Sequence, residues 1–343
     1  MRNLFCFLVV TILLCASCGR QESPNLSENV APDAAGLADD AGLEKIVFLA
    51  QWTPQSQFAG FYIAMKKGFF RQEGLDVEVR HFSAASSQTP LSMLRSDSVQ
   101  IVEMQLLGAL MDNNEDEPIV NVMQLSQNCG LRCVSHTPVA SLADMNGKTI
   151  ARWKSGFNEI ITIIEKENNL DIKWVDFLSS GTNMYMYNAV DAMLSYSYNE
   201  FIELELASGK INSNQIVDMS RLGYNYPEDG LYVTEKYLSE HRGTVARFVR
   251  AVRRGWDYVR ENRDEALDCT LKVMNETGTQ GNRAHQRMML DEILRLQVNP
   301  KTGKADYRAV SREQFDEICA KLTRNNLMNR KVNYEDFVYE TSK

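Results

Sequence analysis

The sequence predicts an α/β protein with two lobes, and three observations lead to this prediction. Strand-like and helical segments alternate from Lys45 to about Asp218, which favours sheets covered by helices. The alternation is laid out twice, in one unit that ends near Gln124 and a second that begins near Ser141. From Thr234 onward only helical periodicity remains. We therefore expect one sheet in each lobe, with the C-terminal helices returning to cover the first lobe.

The first unit opens on an apolar strand and continues as short alternating segments. Apolar runs and period-two alternation predict strands, and amphipathic spacing predicts helices. Gly68 stands where the first helix would end, as a C-cap. The predicted strands are residues 45–50, 76–81, 100–104 and 119–124, and the predicted helices are residues 57–68, 91–94 and a segment ending at Met111.

The second unit begins with a helix-start signal. Ser141 precedes Asp144 by three residues, the spacing of a capping box, and Asn146-Gly147 then turns the chain into a strand. The predicted strands are residues 149–153, 172–177, 192–198 and 215–218, with helices at 157–168, 184–190 and from Asn199. The C-terminal helices are predicted at residues 244–261, 263–277, 283–296 and 307–325.

The chain then has to cross between the lobes twice. We place the two crossover strands near residues 131–135 and 230–234. Lobe 1 would comprise residues 45–133 together with 233–343, and lobe 2 residues 134–232. Strand ends and helix N-termini meet in the cleft between two such lobes, which makes the cleft the predicted ligand site.

The first residues have the pattern of an export signal. Arg2 precedes a short apolar run, residues 4–14, which is too short to span a membrane. Small residues lead up to Cys18, so we predict a signal peptide over residues 1–17 and lipid attachment to Cys18; an ordinary secretory signal is the alternative. Residues 18–44 would be the lipidated cysteine and a tether, disordered because it is polar and has no aromatic residue.

Composition and net charge limit the classes of partner that we expect for this chain. Apolar residues make up 44% of the chain, enough for real cores, and the net charge of −8 argues against a nucleic-acid partner. Cys129, Cys133 and His136 lie close together in sequence, but no fourth ligand stands near them, so we predict no metal site. A disulfide and buried free thiols both stay open for Cys129, Cys133, Cys269 and Cys319.

The segment after the first strand is the most informative for function. Trp52 follows the strand, and a loop with two amides and a glycine leads into the first helix. Such a loop can stack on a flat polar ring and hydrogen-bond its edge. The candidate ligand-binding residues in this part of the chain are Trp52, Gln57, Phe58, Gly60 and Tyr62, with Gln105 at a later strand end.

Several motifs in order resemble one known family. They are the segment 52–79, the strand 118–124, Leu142-Ala143-Asp144-Met145-Asn146-Gly147-Lys148, Val190-Asp191-Ala192 followed by Tyr196-Ser197-Tyr198-Asn199-Glu200, Glu228-Asp229-Gly230, and the run 248–256. Together they resemble the thiamine-biosynthesis-like branch of type II periplasmic binding proteins, over most of residues 45–266. Two positions depart from the family: Ser83-Ala84-Ala85-Ser86-Ser87 stands in place of a glycine pair, and Phe58 in place of a frequent histidine.

The resemblance implies a function. It implies a monomeric, exported, lipid-anchored solute-binding protein with no cofactor, facing the periplasm or the cell exterior. This protein would capture a thiamine pyrimidine precursor of the hydroxymethyl or formylaminomethyl type and deliver it to an ABC permease in the inner membrane. The alternatives are another small nutrient, such as a sulfonate or nitrate, and a pyridoxal-phosphate-dependent pyrimidine synthase. Lys66 and Lys67 are present for the synthase, but residues 52–62 contain no histidine.

The second lobe supplies the remaining candidates. Trp153 ends a strand, as Trp52 follows one, so the two indoles are expected to sandwich a heteroaromatic ring from opposite lobes. Tyr198, Asn199 and Glu200 stand where a strand turns into a helix. The Glu200 carboxylate can accept N–H bonds from an aminopyrimidine edge, although a partner of the helix dipole is the alternative. Tyr185 is a further candidate lining the cleft.

Overall fold

A computed structural model describes residues 42–83, 86–113, 116–154, 158–178 and 180–340 of the chain. The predicted signal peptide, Cys18 and nearly all of the tether lie outside these ranges, so the lipid anchor stays a prediction. Within the described ranges, no helix combines the length and the apolar character needed to cross a membrane.

The described residues alternate between strands and helices as the sequence predicts. The strands are β1 (Glu44–Ala50), β2 (Leu75–His81), β3 (Ile101–Gln105), β4 (Ile119–Gln124), β5 (Leu131–Ser135), β6 (Thr149–Trp153), β7 (Lys173–Phe177), β8 (Ala192–Tyr196), β9 (Ile216–Asp218) and β10 (Asp229–Thr234). The helices are α1 (Ala59–Lys66), α2 (Phe69–Gln72), α3 (Pro90–Arg95), α4 (Leu106–Asp112), α5 (Asn158–Asn168), α6 (Thr182–Met186), α7 (Glu200–Ser208), α8 (Glu235–Glu261), α9 (Arg263–Glu276), α10 (Arg283–Leu296), α11 (Arg312–Arg324) and α12 (Tyr334–Phe337). Short 3₁₀ turns lie at Ser56–Phe58, Leu142–Met145, Ser213–Gln215 and Met219–Leu222.

The strands form two sheets with the same plan. In the first, strand order is β2-β1-β3-β10-β4, with β1 parallel to both neighbours and β10 antiparallel to β3 and β4. In the second, the order is β7-β6-β8-β5-β9, with β6 parallel to both neighbours and β5 antiparallel to β8 and β9. The fourth strand of each sheet is the one that the chain forms on arriving from the other lobe. This plan confirms the predicted two-lobed α/β fold.

The passages between lobes lie a few residues upstream of the predicted positions. β5 pairs only with strands of the second sheet, and β10 only with strands of the first. The links are therefore residues 125–130 and the segment 219–228. The sequence prediction placed them late because each strand enters its new sheet immediately, which satisfies its backbone N–H and C=O groups.

The C-terminal helices pack on the first lobe through an unusually close contact between α1 and α8. A Cβ atom on Gly60 would lie 2.4 Å from the Trp256 ring, and one on Gly255 would lie 2.1 Å from the Gly60 carbonyl oxygen. Glycine at both positions lets the two backbones approach, and Trp256 is fully buried in the contact.

Local signals decide where several helices begin and end. Ser141 and Asp144 form the predicted capping box, and Gly68 takes the left-handed conformation after α1, with φ 67°. The helix predicted over 307–325 is shorter, because the Ser311 side chain caps α11 at the backbone N–H of Gln314. The helix predicted over residues 184–190 also ends early, because Asn188 adopts a positive φ of 56°.

Candidate functional site

A cavity of about 360 Å³ lies between the lobes, where strand ends meet helix starts. Both lobes contribute to its walls: Gln51, Trp52, Gln55 and Gln57 from lobe 1, and Trp153, Tyr196, Tyr198, Asn199 and Glu200 from lobe 2. A wider groove of about 1110 Å³ adjoins it and is bounded on its outer side by α7, α9 and α10. The site is thus a small inner chamber behind a larger open groove.

The two tryptophans predicted from sequence do meet across the cleft. Their ring centroids are 5.2 Å apart and their planes cross at 78°, so the rings touch edge to face. Both residues line the inner chamber and the outer groove, which places the pair where the two spaces join. A ring sandwiched between two indoles would need them parallel and roughly 7 Å apart. This conformation does not have the predicted sandwich geometry, because the indoles pack on each other.

His81 holds the backbone of Trp52 in place. Its Nδ1 lies 2.6 Å from the Trp52 carbonyl oxygen, and its Nε2 lies 3.0 Å from the Tyr62 hydroxyl. A carbonyl only accepts, so Nδ1 carries the proton and Nε2 accepts from Tyr62. Burial lowers the pKa of His81 to about 4, partly opposed by the Trp52 carbonyl, so the ring is neutral near pH 7.

Glu200 ties the lobe 2 wall together. Its Oε1 accepts hydrogen bonds from Trp153 Nε1 at 2.9 Å and Asn199 Nδ2 at 3.0 Å, and its Oε2 accepts from the Tyr196 backbone N–H at 2.8 Å. Burial raises the pKa of this carboxyl, and these hydrogen bonds act in the opposite direction. Glu200 also opens α7, so it is both a helix-start acid and a cavity wall.

Asp229 has the corresponding position in lobe 1, and it is not among the residues predicted from sequence. Its Oδ1 accepts from Gln51 Nε2 at 2.6 Å and Gln105 Nε2 at 3.3 Å. Its Oδ2 accepts from Gln57 Nε2 at 2.7 Å, and Gln57 Oε1 accepts in turn from Gln55 Nε2 at 2.7 Å. The available signal was an acidic residue that starts a buried strand.

Two more buried carboxyls lie behind this cluster. Glu103 and Glu228 line a second cavity of about 270 Å³ together with Asp229 and Gln57. Burial raises the pKa of all three acids; the charge of Asp229 raises those of Glu103 and Glu228 further, whereas hydrogen bonds from Gln51 and Gln57 lower that of Asp229. Hydrogen bonds from glutamine side chains therefore favour the charged form of Asp229.

Five predicted ligand contacts lie away from the chamber. Phe58 and Tyr62 are fully buried beside His81, and Gly60 lies under the Trp256 ring. Tyr185 donates its hydroxyl to the Ser135 carbonyl in the lobe 2 core, and Gln105 reaches Asp229 rather than the chamber. Aromatic residues on a buried helix face pack into their own lobe, and this structure does not bring any of the five residues to the chamber. The chamber residues that were not predicted are Gln51, Gln55 and Tyr196, and Asp229 lies behind them.

The described serines of the run 83–87 and the cysteines Cys129 and Cys133 do not line the chamber either. Ser83, Ser86 and Ser87 are exposed and do not line the chamber, and Ala84 and Ala85 lie outside the described residues. Cys129 and Cys133 are buried free thiols, and burial raises the pKa of Cys133 to about 12. The His136 ring stacks on Tyr185 at 3.9 Å. Across the described ranges, no three His, Cys, Asp or Glu side chains converge as metal ligands would.

Comparison with known proteins finds a matching family model and relatives that are named as binding proteins. A sequence-family model described as NMT1/THI5 like matches residues 55–266. The chain is 24% identical over 307 residues to the riboflavin-binding protein RibY of Chloroflexus aurantiacus, covering 86% of this chain and 85% of that protein. It is 23% identical over 336 residues to a formylaminopyrimidine-binding protein of Halalkalibacterium halodurans, covering 96% of each.

Solved structures share the fold. The periplasmic aliphatic sulphonate binding protein SsuA of Escherichia coli superposes with a TM-score of 0.62 at 14% identity, over 88% of this chain and 93% of that one. This similarity confirms the periplasmic-binding-protein fold that the resemblance implied.

Proposed function

The chain belongs to the NMT1/THI5 like family, and we propose that it is a solute-binding protein that captures an amino-substituted pyrimidine between its lobes. The observation that carries the proposal is the inner chamber, walled by an indole from each lobe and by the Glu200 carboxylate. The formylaminopyrimidine-binding relative, similar over 96% of both chains, supports the choice of ligand.

The chamber suits a small, flat, polar ring. Its lining combines aromatic and polar side chains, as is typical of small-molecule sites. The indole faces offer stacking, and tyrosines 196 and 198 add two more aromatic walls. Glutamine side chains and Glu200 supply a few polar groups that can fix the orientation of a ring edge.

Delivery to a permease would complete this role. Because the chamber walls come from both lobes, a ligand that contacts both favours the closed form over an open one. We propose that the protein acts as a monomer, is anchored through Cys18 and passes its ligand to an ABC permease.

A flavin is the second candidate, because the riboflavin-binding relative is similar over 86% of this chain and the outer groove of about 1110 Å³ leaves room for a larger molecule. Sulfonate and nitrate fit less well. No Lys or Arg lines the inner chamber in the described ranges, and Glu200 and Asp229 would repel an anion.

The synthase alternative lacks its lysine in the cleft. The Lys66 and Lys67 ammonium groups both pair with Glu265, at 2.9 and 2.7 Å, and neither lysine lines the inner chamber or the outer groove. His81, the histidine nearest Trp52, is committed to the Trp52 carbonyl and the Tyr62 hydroxyl.

A thermal-shift screen of the purified protein tests the proposal. The probes are 4-amino-5-hydroxymethyl-2-methylpyrimidine, its formylaminomethyl counterpart, thiamine, riboflavin, taurine and nitrate. A ligand at about 100 times its Kd stabilises the native state by about 2.7 kcal/mol, which raises Tm measurably. We expect a shift with the pyrimidines; a shift with taurine or nitrate alone would overturn the proposal.

Tryptophan variants tie any shift to the chamber. Trp52→Ala and Trp153→Ala should each weaken pyrimidine binding about tenfold or more, through lost stacking and burial. Trp174→Ala is the matched control, because Trp174 is half-buried in lobe 2 and outside the chamber, with its Nε1 bonded to Glu165. Unchanged affinity in both chamber variants would move the ligand elsewhere.

A further inference from the structure

We propose that Asp229 sets the hydrogen-bonding polarity of the chamber, so that it selects a ligand edge with N–H donors over one with carbonyl acceptors. This inference rests on the proposed function and names the feature of the ring that is recognised. Asp229 does not line the chamber itself; it acts as a positioning residue through Gln51, Gln57 and Gln55.

The orientation of each amide follows from the carboxylate. An ionised carboxylate only accepts, so every glutamine that contacts it must turn its NH₂ group inward. Gln51 does so directly, at 2.6 Å. Gln57 does so at 2.7 Å, and its own oxygen then draws the NH₂ group of Gln55, also at 2.7 Å.

The amide oxygen atoms of Gln51 and Gln55 remain for contact with a ligand in the chamber. Gln51 and Gln55 both line it, and both have committed their amide nitrogens to the Asp229 cluster. Among the described residues, no donor is bonded to Oε1 of either side chain. These two oxygens are therefore available to accept hydrogen bonds from a ligand.

The neighbouring acids show why Asp229, rather than Glu103, controls the amides. Glu103 is completely buried, and no side chain in the described ranges donates to its carboxyl oxygens. Asp229 has three amide donors, which favour its charged form.

The opposite wall has the same polarity. Glu200 lines the chamber with a carboxylate, which also only accepts. The Gln51 and Gln55 oxygens in lobe 1 and the Glu200 carboxylate in lobe 2 thus present acceptors to the ligand edge. An exocyclic amine or ring N–H matches these walls. A ring edge with two carbonyls around one N–H, as in a flavin, would place acceptor against acceptor and leave buried oxygens unpaired.

The test compares two ligands that differ in this one group. Isothermal titration calorimetry measures the affinity of the purified protein for 4-amino-5-hydroxymethyl-2-methylpyrimidine and for its 4-oxo analogue. The wild-type protein should prefer the amino compound by about tenfold or more. Asp229→Asn keeps the shape but adds a donor, so at least one glutamine amide turns over, and the preference should fall to about threefold or less.

Glu103→Gln is the matched control. It makes the same acid-to-amide change at a buried neighbour whose carboxyl accepts no hydrogen bond from a glutamine side chain in the described ranges, and it should keep the wild-type preference. If Asp229→Asn does not fold, Gln55→Met removes one acceptor at similar volume and should lower affinity for the amino compound more than for the oxo compound.

The outcomes separate the two proposals. A wild-type protein that binds neither pyrimidine overturns the proposed function. Equal wild-type affinity for both compounds, or an unchanged preference in Asp229→Asn, overturns the polarity inference and leaves the pyrimidine assignment standing.

Discussion

The two lobes meet the ligand chamber with the same parts, held in different ways. Each lobe places a tryptophan at the end of the central strand of its parallel trio, Trp52 after β1 and Trp153 at the end of β6. Each also buries a carboxyl nearby. In lobe 2 the carboxyl and the indole are bonded to each other, since Glu200 accepts from Trp153. In lobe 1 they are separate: His81 holds Trp52, and glutamine side chains surround Asp229.

Because of this difference, the two lobes can control different aspects of ligand recognition. Two of the groups on Glu200 are a backbone N–H and an indole N–H, neither of which can reverse its polarity. The groups on Asp229 are amides, whose donor and acceptor ends can exchange by rotation. Lobe 2 is thus suited to fix where the ring lies, and lobe 1 to decide which ring edge is accepted.

Removing Glu200 is the largest expected disruption. Glu200→Ala leaves the Tyr196 and Trp153 N–H groups without their acceptor in a buried site, which should lower the free energy of unfolding by about 2–4 kcal/mol. Pyrimidine affinity should fall at least tenfold. Urea unfolding and calorimetry measure the two effects. Glu205→Ala, half-buried on the same helix and outside the chamber, should change neither; equal effects in both variants would contradict a special role for Glu200.

Replacing Glu103 should stabilise the protein at neutral pH, whereas replacing Glu200 destabilises it, because Glu103 is buried without a side-chain hydrogen-bond donor. Its folded pKa is raised above the ordinary value of 4.5, first by burial and then by the charge of Asp229. Above the unfolded pKa the native state therefore holds a proton that the unfolded chain has released, and stability falls as pH rises. Glu103→Gln removes this dependence.

The pH profile of stability gives the measurement. The free energy of unfolding of Glu103→Gln should equal that of the wild type near pH 4. As pH rises, the variant should become more stable relative to the wild type, by up to about 1.4 kcal/mol per pH unit until the folded pKa is reached. Urea unfolding of both proteins between pH 4 and 8 tests this. A variant that is less stable than the wild type at pH 8 would mean that the Glu103 charge is present and stabilised.

The fold and part of the chamber lining could be predicted from the sequence. Apolar periodicity located most strands and helices, and a tryptophan at a strand end in each lobe indicated side chains pointing into a cleft. Asn199 and Glu200 were found because a strand-to-helix turn places its side chains at the same edge. These are local signals, so one sequence is enough to read them.

What the sequence did not show depends on contacts between distant segments. Asp229 is 178 residues from Gln51 and 172 from Gln57 along the chain, and only the return of β10 into the first sheet brings them together. Phe58 ends a 3₁₀ turn and Tyr62 lies on α1, and both segments are buried on nearly every side, so periodicity could not tell which face met the cleft. Two sheets must be assembled before either question has an answer.

Tryptophan-to-phenylalanine changes give the smallest and sharpest test of the comparison between lobes. Phenylalanine keeps an aromatic face but loses the indole N–H. Trp153→Phe removes one hydrogen-bond donor from Glu200 and should weaken pyrimidine binding about tenfold. The Trp52 indole N–H contacts no acceptor among the described residues, so Trp52→Phe should weaken pyrimidine binding about threefold or less. Calorimetric titration of both variants measures the ratio. Equal losses would mean that the chamber uses the two indoles only for their faces, and that the coupling of Glu200 to Trp153 does not contribute to binding.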